Sequence, residues 1–199
     1  MFTPAQSSRT PATLLLIGAC VAVFALMSLA PYQQATLYER LALSTPTSNP
    51  YFRPWQVVTY GFLHGGFFHL LFNMMGLYFF GPVLEQRWGR TRFLVYYAVC
   101  LVGAALVQLA VAAMMGTGGP VVGASGAVLG VLLAFAVLYP DEKIYFNLFI
   151  PIKAKYFVPL YALIDLYAGL SGANTGIAHF AHLGGMLAGL PLALAWKRR

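Results

Sequence analysis

Charged side chains are scarce in this chain. Of its 199 residues only 9% are Asp, Glu, Lys or Arg, whereas 60% are hydrophobic. A soluble domain averages about 25% charged residues, so this composition excludes an ordinary soluble protein and favours membrane-embedded helices. Cysteine is scarce as well, since the chain has two, Cys20 and Cys100, each in a separate apolar stretch. Their spacing indicates neither a disulfide framework nor a metal site, and we expect no metal and no cofactor.

Long apolar runs make up most of the chain. Each run approaches the roughly 20 residues that cross a bilayer. We therefore predict an all-α polytopic membrane protein, with residues 1–199 as a single domain of six transmembrane helices. A cleaved signal sequence is the alternative for the first run, since 28–30 resembles a cleavage site. The approximate bounds of the predicted helices are 13–30, 67–84, 93–115, 123–139, 154–170 and 177–196.

The basic residues are distributed unevenly between the two predicted sides. Only Arg40 and Arg53 lie in loops on one side, and ten others lie on the opposite side. By the positive-inside rule, both termini face the cytoplasm, and we expect a bacterial-type inner membrane. No basic face with interleaved aromatic residues appears, so we expect the lipid bilayer, and no nucleic acid, as a partner. The ten residues are Arg9, Arg87, Arg90, Arg92, Lys143, Lys153, Lys155, Lys197, Arg198 and Arg199.

The predicted loop over residues 31–66 is the longest and is rich in aromatic residues and proline. Aromatic side chains favour the membrane–water interface. We expect this loop to be membrane-associated on the outer side.

Ser125 and His182 are reactive side chains inside predicted membrane segments. A serine there usually only bonds a backbone carbonyl, and a lone histidine often links two helices. Glycines nearby change this interpretation: 126 and 130 follow the serine, and 185 and 189 follow the histidine. Such small-residue faces let helices approach closely. We expect the hydroxyl and the imidazole to come within hydrogen-bond reach, which is the arrangement that activates a serine nucleophile.

Three other polar residues have two interpretations each. His69 and Asn73 share one helix face and are either interhelical hydrogen-bonding groups or donors to an oxyanion. Asp165 either orients His182 as the third member of a triad or pairs with a tyrosine or backbone group. His64 is interpreted as structural.

Two further positions have simpler interpretations. His179 precedes His182 by three residues, but no HExxH helix or cysteine–histidine cluster accompanies them to indicate a metal site. Glu85 and Arg87 are expected to begin the loop after the second helix, as a local ion pair or a loop anchor at the cytoplasmic interface.

These residues together resemble the rhomboid intramembrane serine proteases. One such motif alone is weak, whereas four on successive helices in the same order are specific. The matching motifs are His64 with His69-x-x-x-Asn73, Glu85-x-x-x-Gly89, Gly123-x-Ser125-Gly126, and Ala181-His182-x-x-Gly185-x-x-x-Gly189.

The resemblance implies a serine–histidine dyad, with Ser125 as nucleophile and His182 as general base. It also implies an oxyanion site formed by His69, Asn73 and the Ser125 amide. The implied substrates are membrane-anchored proteins, cleaved in or near their transmembrane segments from the extracytoplasmic side. The fifth helix is implied to gate lateral access, and the 31–66 loop would be a lateral hairpin. The resemblance does not imply an oligomeric state.

Two positions depart from the family pattern. Gln56 stands where an arginine often follows the loop tryptophan, which is expected to loosen the anchoring of the loop. Leu129 stands where many members carry a tyrosine that stacks on the catalytic histidine. Another partner must then hold His182, and the candidates are Tyr161, Tyr167 and Asp165.

Two other functions remain alternatives. A catalytically weak or inactive rhomboid-like binder of transmembrane clients would have the same fold, and Leu129 is its best support. A small transporter would also carry polar residues on adjacent helices. The chain shows no repeated halves or paired broken helices, which argues against transport.

Overall fold

The computed structural model describes residues 11–44, 52–116, 119–146, 149–172 and 177–197. Within them the chain forms eight α-helices, a short 3₁₀ turn over Tyr60–Phe62 and one two-stranded hairpin. The helices are α1 (Pro11–Leu29), α2 (Gln34–Leu41), α3 (Gln56–Thr59), α4 (Phe67–Trp88), α5 (Arg90–Met115), α6 (Ser125–Leu138), α7 (Ala154–Leu170) and α8 (His179–Trp196). The strands are β1 (Lys143–Phe146) and β2 (Ile150–Lys153), which pair antiparallel.

Six of these helices correspond to the six predicted ones. Three of them, α1, α4 and α5, are long and apolar enough to cross a membrane, and α6 is a shorter apolar helix. The number of membrane crossings therefore stays a prediction. The interfacial position of the 31–66 loop also stays a prediction, and part of that loop (45–51) lies outside the described residues.

The centre of the bundle is built where α5, α6 and α8 meet at glycine and alanine. A methyl group built on Gly126 would lie 2.6 Å from the Ala104 side chain and 2.9 Å from the Ala181 carbonyl oxygen. A methyl group on Gly185 would overlap the backbone carbonyl of Gly126. Backbones can approach this closely only where no side chain intervenes. This packing brings the first turns of α6 and α8 side by side.

Glu85 joins the end of α4 to the start of α1. Its buried carboxylate accepts hydrogen bonds from the Ala12 and Thr13 amides, both at 2.9 Å, and from the Thr13 hydroxyl at 2.7 Å. The first amides of a helix have no intrahelical acceptor, so Glu85 caps α1 from a neighbouring helix. The expected loop position of Glu85 and Arg87 was wrong, because α4 continues past Pro82 to Trp88. Glu85 thus links α4 to α1, and among the described residues it is neither the expected local ion pair nor a loop anchor.

The segment between α1 and α4 contains the short helices α2 and α3 and the 3₁₀ turn, and side-chain hydrogen bonds connect them. Gln56 is fully buried, and its amide nitrogen donates to the Glu39 carbonyl oxygen at 3.1 Å. The Trp55 indole donates to the Arg40 carbonyl oxygen at 3.0 Å. Gln56 thus ties α3 to α2, and the expectation that it would loosen the anchoring finds no support in these contacts.

The hairpin was not predicted. Asp141 accepts hydrogen bonds from Lys155 at 2.8 Å and Lys153 at 3.1 Å, which ties the hairpin to the start of α7. These charges lie at the opposite end of the bundle from Ser125, on the side where the basic residues are concentrated.

The glycine contact between α6 and α8 can be tested by adding one methyl group. Gly185→Ala is expected to lower the free energy of unfolding by about 1–3 kcal/mol, since the new group meets a backbone carbonyl that cannot move alone. Gly18→Ala on the exposed face of α1 is the matched control, because its methyl group meets nothing within 4 Å. The control is expected to be neutral or to stabilise by up to about 1 kcal/mol. Unfolding in mixed detergent micelles measures both, and equal effects would contradict this account of the contact.

Candidate active site

Ser125 is the first residue of α6. Gly123, two residues before it, has a φ of +122°, which is rare for any residue with a side chain. The segment before the serine is held by hydrogen bonds to residues that lie between α1 and α4. The Gly123 amide donates to the Tyr60 carbonyl oxygen at 3.0 Å, and Val121 pairs with Leu43 as an isolated β-bridge. The region between α1 and α4 therefore fixes the segment that positions Ser125 at the start of α6.

His182 lies directly against this serine. Its Nε2 is 2.8 Å from the Ser125 Oγ, and the imidazole is buried. Both residues lie in the first turns of their helices, so the glycine contact between α6 and α8 sets this distance. The expected approach of hydroxyl and imidazole is confirmed.

Asp165 bonds to the other side of the same imidazole. Its Oδ2 lies 2.8 Å from His182 Nδ1, and its Oδ1 lies 2.6 Å from His179 Nδ1. An ionised carboxylate can only accept, so His182 Nδ1 carries the proton and Nε2 presents its lone pair to the serine. Of the two interpretations of Asp165, contact with His182 is the one that the structure shows.

The three candidate partners of His182 differ in their contacts. Leu129 is packed among apolar residues of α6, α7 and α8. Tyr167 is 77% exposed. Of the three candidates, Asp165 is the one with a hydrogen bond to His182.

His69 and Asn73 lie on α4 beside the serine loop. A methyl group on Gly123 would lie 2.6 Å from His69 Nε2 and 3.8 Å from Ser125 Oγ, so His69 and the serine flank this glycine. Asn73 is buried, and its amide nitrogen donates to the His69 carbonyl oxygen at 2.8 Å. That bond uses one of the two amide hydrogens and leaves the second available.

His64 packs behind His69 at the start of α4. Its ring is buried and lies edge-on to the His69 ring, with centroids 5.2 Å apart. The Tyr38 hydroxyl donates to the His64 backbone carbonyl at 2.7 Å. The ring nitrogens of His64 have no hydrogen-bond partner of normal geometry among the described residues. Burial, reinforced by the neighbouring His69, lowers the pKa of His64 to about 4.

Sequence reasoning missed the contact between His179 and Asp165. His179 is buried and shares the Asp165 carboxylate with His182. The three residues offer one ligand atom each, and these atoms all lie within 4.8 Å of one another. The i, i+3 spacing of the two histidines was the available signal, since it places both on one helix face.

Sequence comparison shows the family of the chain. A sequence model described as the Rhomboid domain matches residues 51–199. The chain belongs to the rhomboid family. Because it belongs to this family and carries long apolar helices, it is an integral membrane protein.

Individual relatives extend over much of the chain. The chain is 34% identical over 142 residues to the putative rhomboid protease YdcA of Bacillus subtilis. The matched residues cover 70% of this chain and 65% of that protein. It is 28% identical over 195 residues to the rhomboid protease GlpG of Yersinia pseudotuberculosis, which covers 98% of this chain and 65% of that protein. It is also 34% identical over 146 residues to RHOMBOID-like protein 1 of Arabidopsis thaliana. That match covers 73% of this chain and 35% of that protein. The chain thus spans between about a third and two thirds of these relatives.

The low pKa of His64 predicts a pH dependence of stability. The unfolded chain binds a proton at this residue near pH 6.5, whereas the folded chain does so near pH 4. The stabilisation is therefore complete above pH 6.5 and is lost as the pH falls towards 4, at up to about 1.4 kcal/mol per pH unit. Unfolding measured across this range should show a shallower pH slope in His64→Gln than in the unmodified chain. Identical slopes would contradict the assignment.

Proposed function

We propose that this rhomboid is an intramembrane serine endopeptidase that cleaves transmembrane segments of membrane-anchored proteins. The observation that carries the proposal is the 2.8 Å contact between Ser125 Oγ and His182 Nε2, with Asp165 bound to the opposite ring nitrogen. Two of the compared relatives, from Bacillus subtilis and Yersinia pseudotuberculosis, are named as rhomboid proteases, the former as a putative one.

The catalytic cycle follows from the positions of two catalytic residues. His182 Nε2 accepts the Ser125 hydroxyl proton as Oγ attacks the scissile carbonyl carbon, and a tetrahedral oxyanion forms. The same nitrogen then gives its proton to the leaving amine, and the peptide C–N bond breaks. Water, activated by His182, hydrolyses the acyl-enzyme and returns the serine hydroxyl.

Three donors are available to the oxyanion. Ser125 is at the first helical position, where the backbone amide has no intrahelical acceptor and the helix dipole favours negative charge. His69 flanks the same glycine as the serine, and Asn73 retains one amide hydrogen. In this proposal the substrate carbonyl oxygen points towards these groups. Preorganised donors of this kind are typically worth about 2.7–4 kcal/mol each in the transition state.

Asp165 is proposed as a positioning residue. It holds the proton on His182 Nδ1 and fixes the ring orientation, and it stabilises the imidazolium that forms when Nε2 takes the serine proton. A stacked tyrosine is not required for this function. His64 is proposed to support the site by fixing the His69 ring through their edge contact.

Access of a transmembrane substrate is proposed to occur beside α7. This helix carries large apolar side chains on its exposed face, among them Leu160, Leu163 and Ile164. An apolar face without protein cover is compatible with lipid or with a substrate helix. The site lies at the end of the bundle opposite the basic hairpin. In this proposal it faces the extracytoplasmic side of a bacterial-type inner membrane and both termini are cytoplasmic, which is the orientation that the positive-inside rule predicts.

The alternative is an inactive client binder. Leu129 favours it, because many family members carry at that position a tyrosine that stacks on the histidine. The hydrogen bond between Asp165 and His182 supports Asp165 as the partner of the histidine in this protein and so argues against the binder. Covalent labelling of Ser125 by a fluorophosphonate probe separates the two functions, since labelling needs an activated hydroxyl.

Ser125→Ala is expected to abolish cleavage while leaving the fold intact. The test uses a model substrate with one transmembrane segment, in detergent and in proteoliposomes, and compares the variant with the unmodified chain. Loss should exceed about 10³-fold, because the variant lacks the proposed nucleophile. Unfolding midpoints in detergent control for folding. Cleavage by the alanine variant at the full rate would rule out the serine mechanism.

Asp165→Asn is expected to lower kcat by between about tenfold and 10⁴-fold, the upper figure being that of a soluble triad. An amide can donate to Nδ1 and so permits the wrong tautomer of His182. KM should stay unchanged, because Asp165 is not proposed to touch substrate. The matched control is Tyr167→Phe, an exposed position two residues along the same helix. A change in KM alone, or an equal effect in both variants, would refute the positioning role.

A further inference from the structure

The proposed cycle gives no function to His179. This histidine lies next to the base and contacts the same carboxylate, at 2.6 Å. Its side chain and that of His182 are each 9% exposed, and that of Asp165 is 5% exposed. A buried carboxylate needs only one histidine to act in a triad. The second histidine therefore indicates a further property of this site.

We propose that Asp165, His179 and His182 form a site for a transition-metal dication such as zinc, and that metal bound there inhibits the enzyme. One ligand atom from each residue lies within 4.8 Å of the others. Two imidazole nitrogens and one carboxylate oxygen are a donor set that suits zinc, with bonds of about 2.0–2.2 Å. Magnesium and calcium prefer oxygen ligands and are not expected to bind.

The charges at the site favour a cation. Among the described residues the ion pairs of Asp165 are with the two histidines, and no lysine or arginine lies within ion-pair distance. With both imidazoles neutral, the cluster carries a buried negative charge that two N–H groups stabilise only partly. A dication replaces those two hydrogen bonds with coordinate bonds and removes the net negative charge.

The geometry requires only small movements. Each Nδ1 is already 2.6–2.8 Å from a carboxylate oxygen. His179 and His182 stand three residues apart on the first turn of α8, so both rings face α7. Three protein ligands leave a fourth position open to water in a tetrahedral zinc site. The same water access is required for hydrolysis of the acyl-enzyme.

Inhibition follows from the tautomer of His182. In the hydrogen-bonded state, neutral His182 carries its one ring proton on Nδ1 and offers the Nε2 lone pair to Ser125. Zinc takes the Nδ1 lone pair, so the ring proton moves to Nε2. No proton leaves the imidazole and no electron is transferred, yet Nε2 becomes a donor and cannot accept the serine proton. The metal is thus an inhibitor of this site and not its cofactor.

This inhibition rests on the proposed protease function, whereas metal binding does not. The sequence alone did not indicate the site, because His179 and His182 lack a ligand motif around them. The third ligand comes from α7, fourteen residues before His179.

The binding test uses cobalt(II) and the full chain carrying Ser125→Ala, so that activity plays no part. Tetrahedral cobalt absorbs visible light, and we expect a band that saturates at one equivalent and is displaced by zinc. His179→Gln in the same background should weaken binding by at least about tenfold, because glutamine keeps a polar side chain but loses the imidazole ligand. His64→Gln is the matched control, since it removes a buried histidine outside the cluster. Asp165→Asn is the second ligand variant.

The inhibition test measures substrate cleavage with zinc, with magnesium and with excess chelator. Zinc should inhibit the unmodified chain reversibly, and magnesium at the same concentration should not. The activity of His179→Gln is expressed relative to the activity of the same variant in excess chelator. On that scale, inhibition of the variant should need at least about tenfold more zinc than inhibition of the unmodified chain.

The outcomes separate the two proposals. Absence of a cobalt band, equal cobalt binding by His179→Gln and the unmodified cluster, or equal zinc inhibition of both would overturn the metal site. If the unmodified chain cleaves no substrate even with chelator, the protease function fails, and the cobalt titration still decides the metal site by itself.

Discussion

Close backbone contact between α5, α6 and α8 is the constraint on which the site depends. In a bilayer the lipid is as apolar as the helices, so association relies on van der Waals contact and interhelical hydrogen bonds. Gly126 and Gly185 allow that contact, because a methyl group at either would meet a neighbouring backbone. The first turns of α6 and α8 are thereby held together. The distance between Ser125 and His182 is a consequence of this packing and not of any local motif.

Buried polar groups are satisfied by side chains from distant parts of the chain. Glu85 caps α1 across 72–73 residues of sequence. The Tyr96 and Tyr60 hydroxyls donate to the carbonyl oxygens of Gly130 and Leu101, at 2.7 and 2.8 Å. Unpaired polar groups cost several kcal/mol or so in an apolar medium. Each of these bonds therefore fixes the register between helices, and the Asp165 pair does the same for α7 and α8.

Much of the helical structure was predictable, and particular elements were not. The apolar runs gave the positions of α1 and α4–α8 to within four residues at either end, because run length and charge report lipid burial directly. Helices α2 and α3 and the β1–β2 hairpin were missed. Their sequences are short and mixed in polarity, so tertiary contacts such as those of Gln56 and Asp141 decide their conformation. The end of α4 was placed too early, since Glu85 is charged and its partner on α1 is invisible to local pattern.

The sequence by itself determined the reactive residue types, their order along the chain and the small-residue faces beside them. These are local properties, because each depends on residues within one or two helical turns. Only the tertiary structure decided that Asp165 contacts both His179 and His182. Those contacts connect α7 and α8 across a helix-to-helix interface. Their existence depends on the rotation and depth of two packed helices, which no periodicity in either helix specifies.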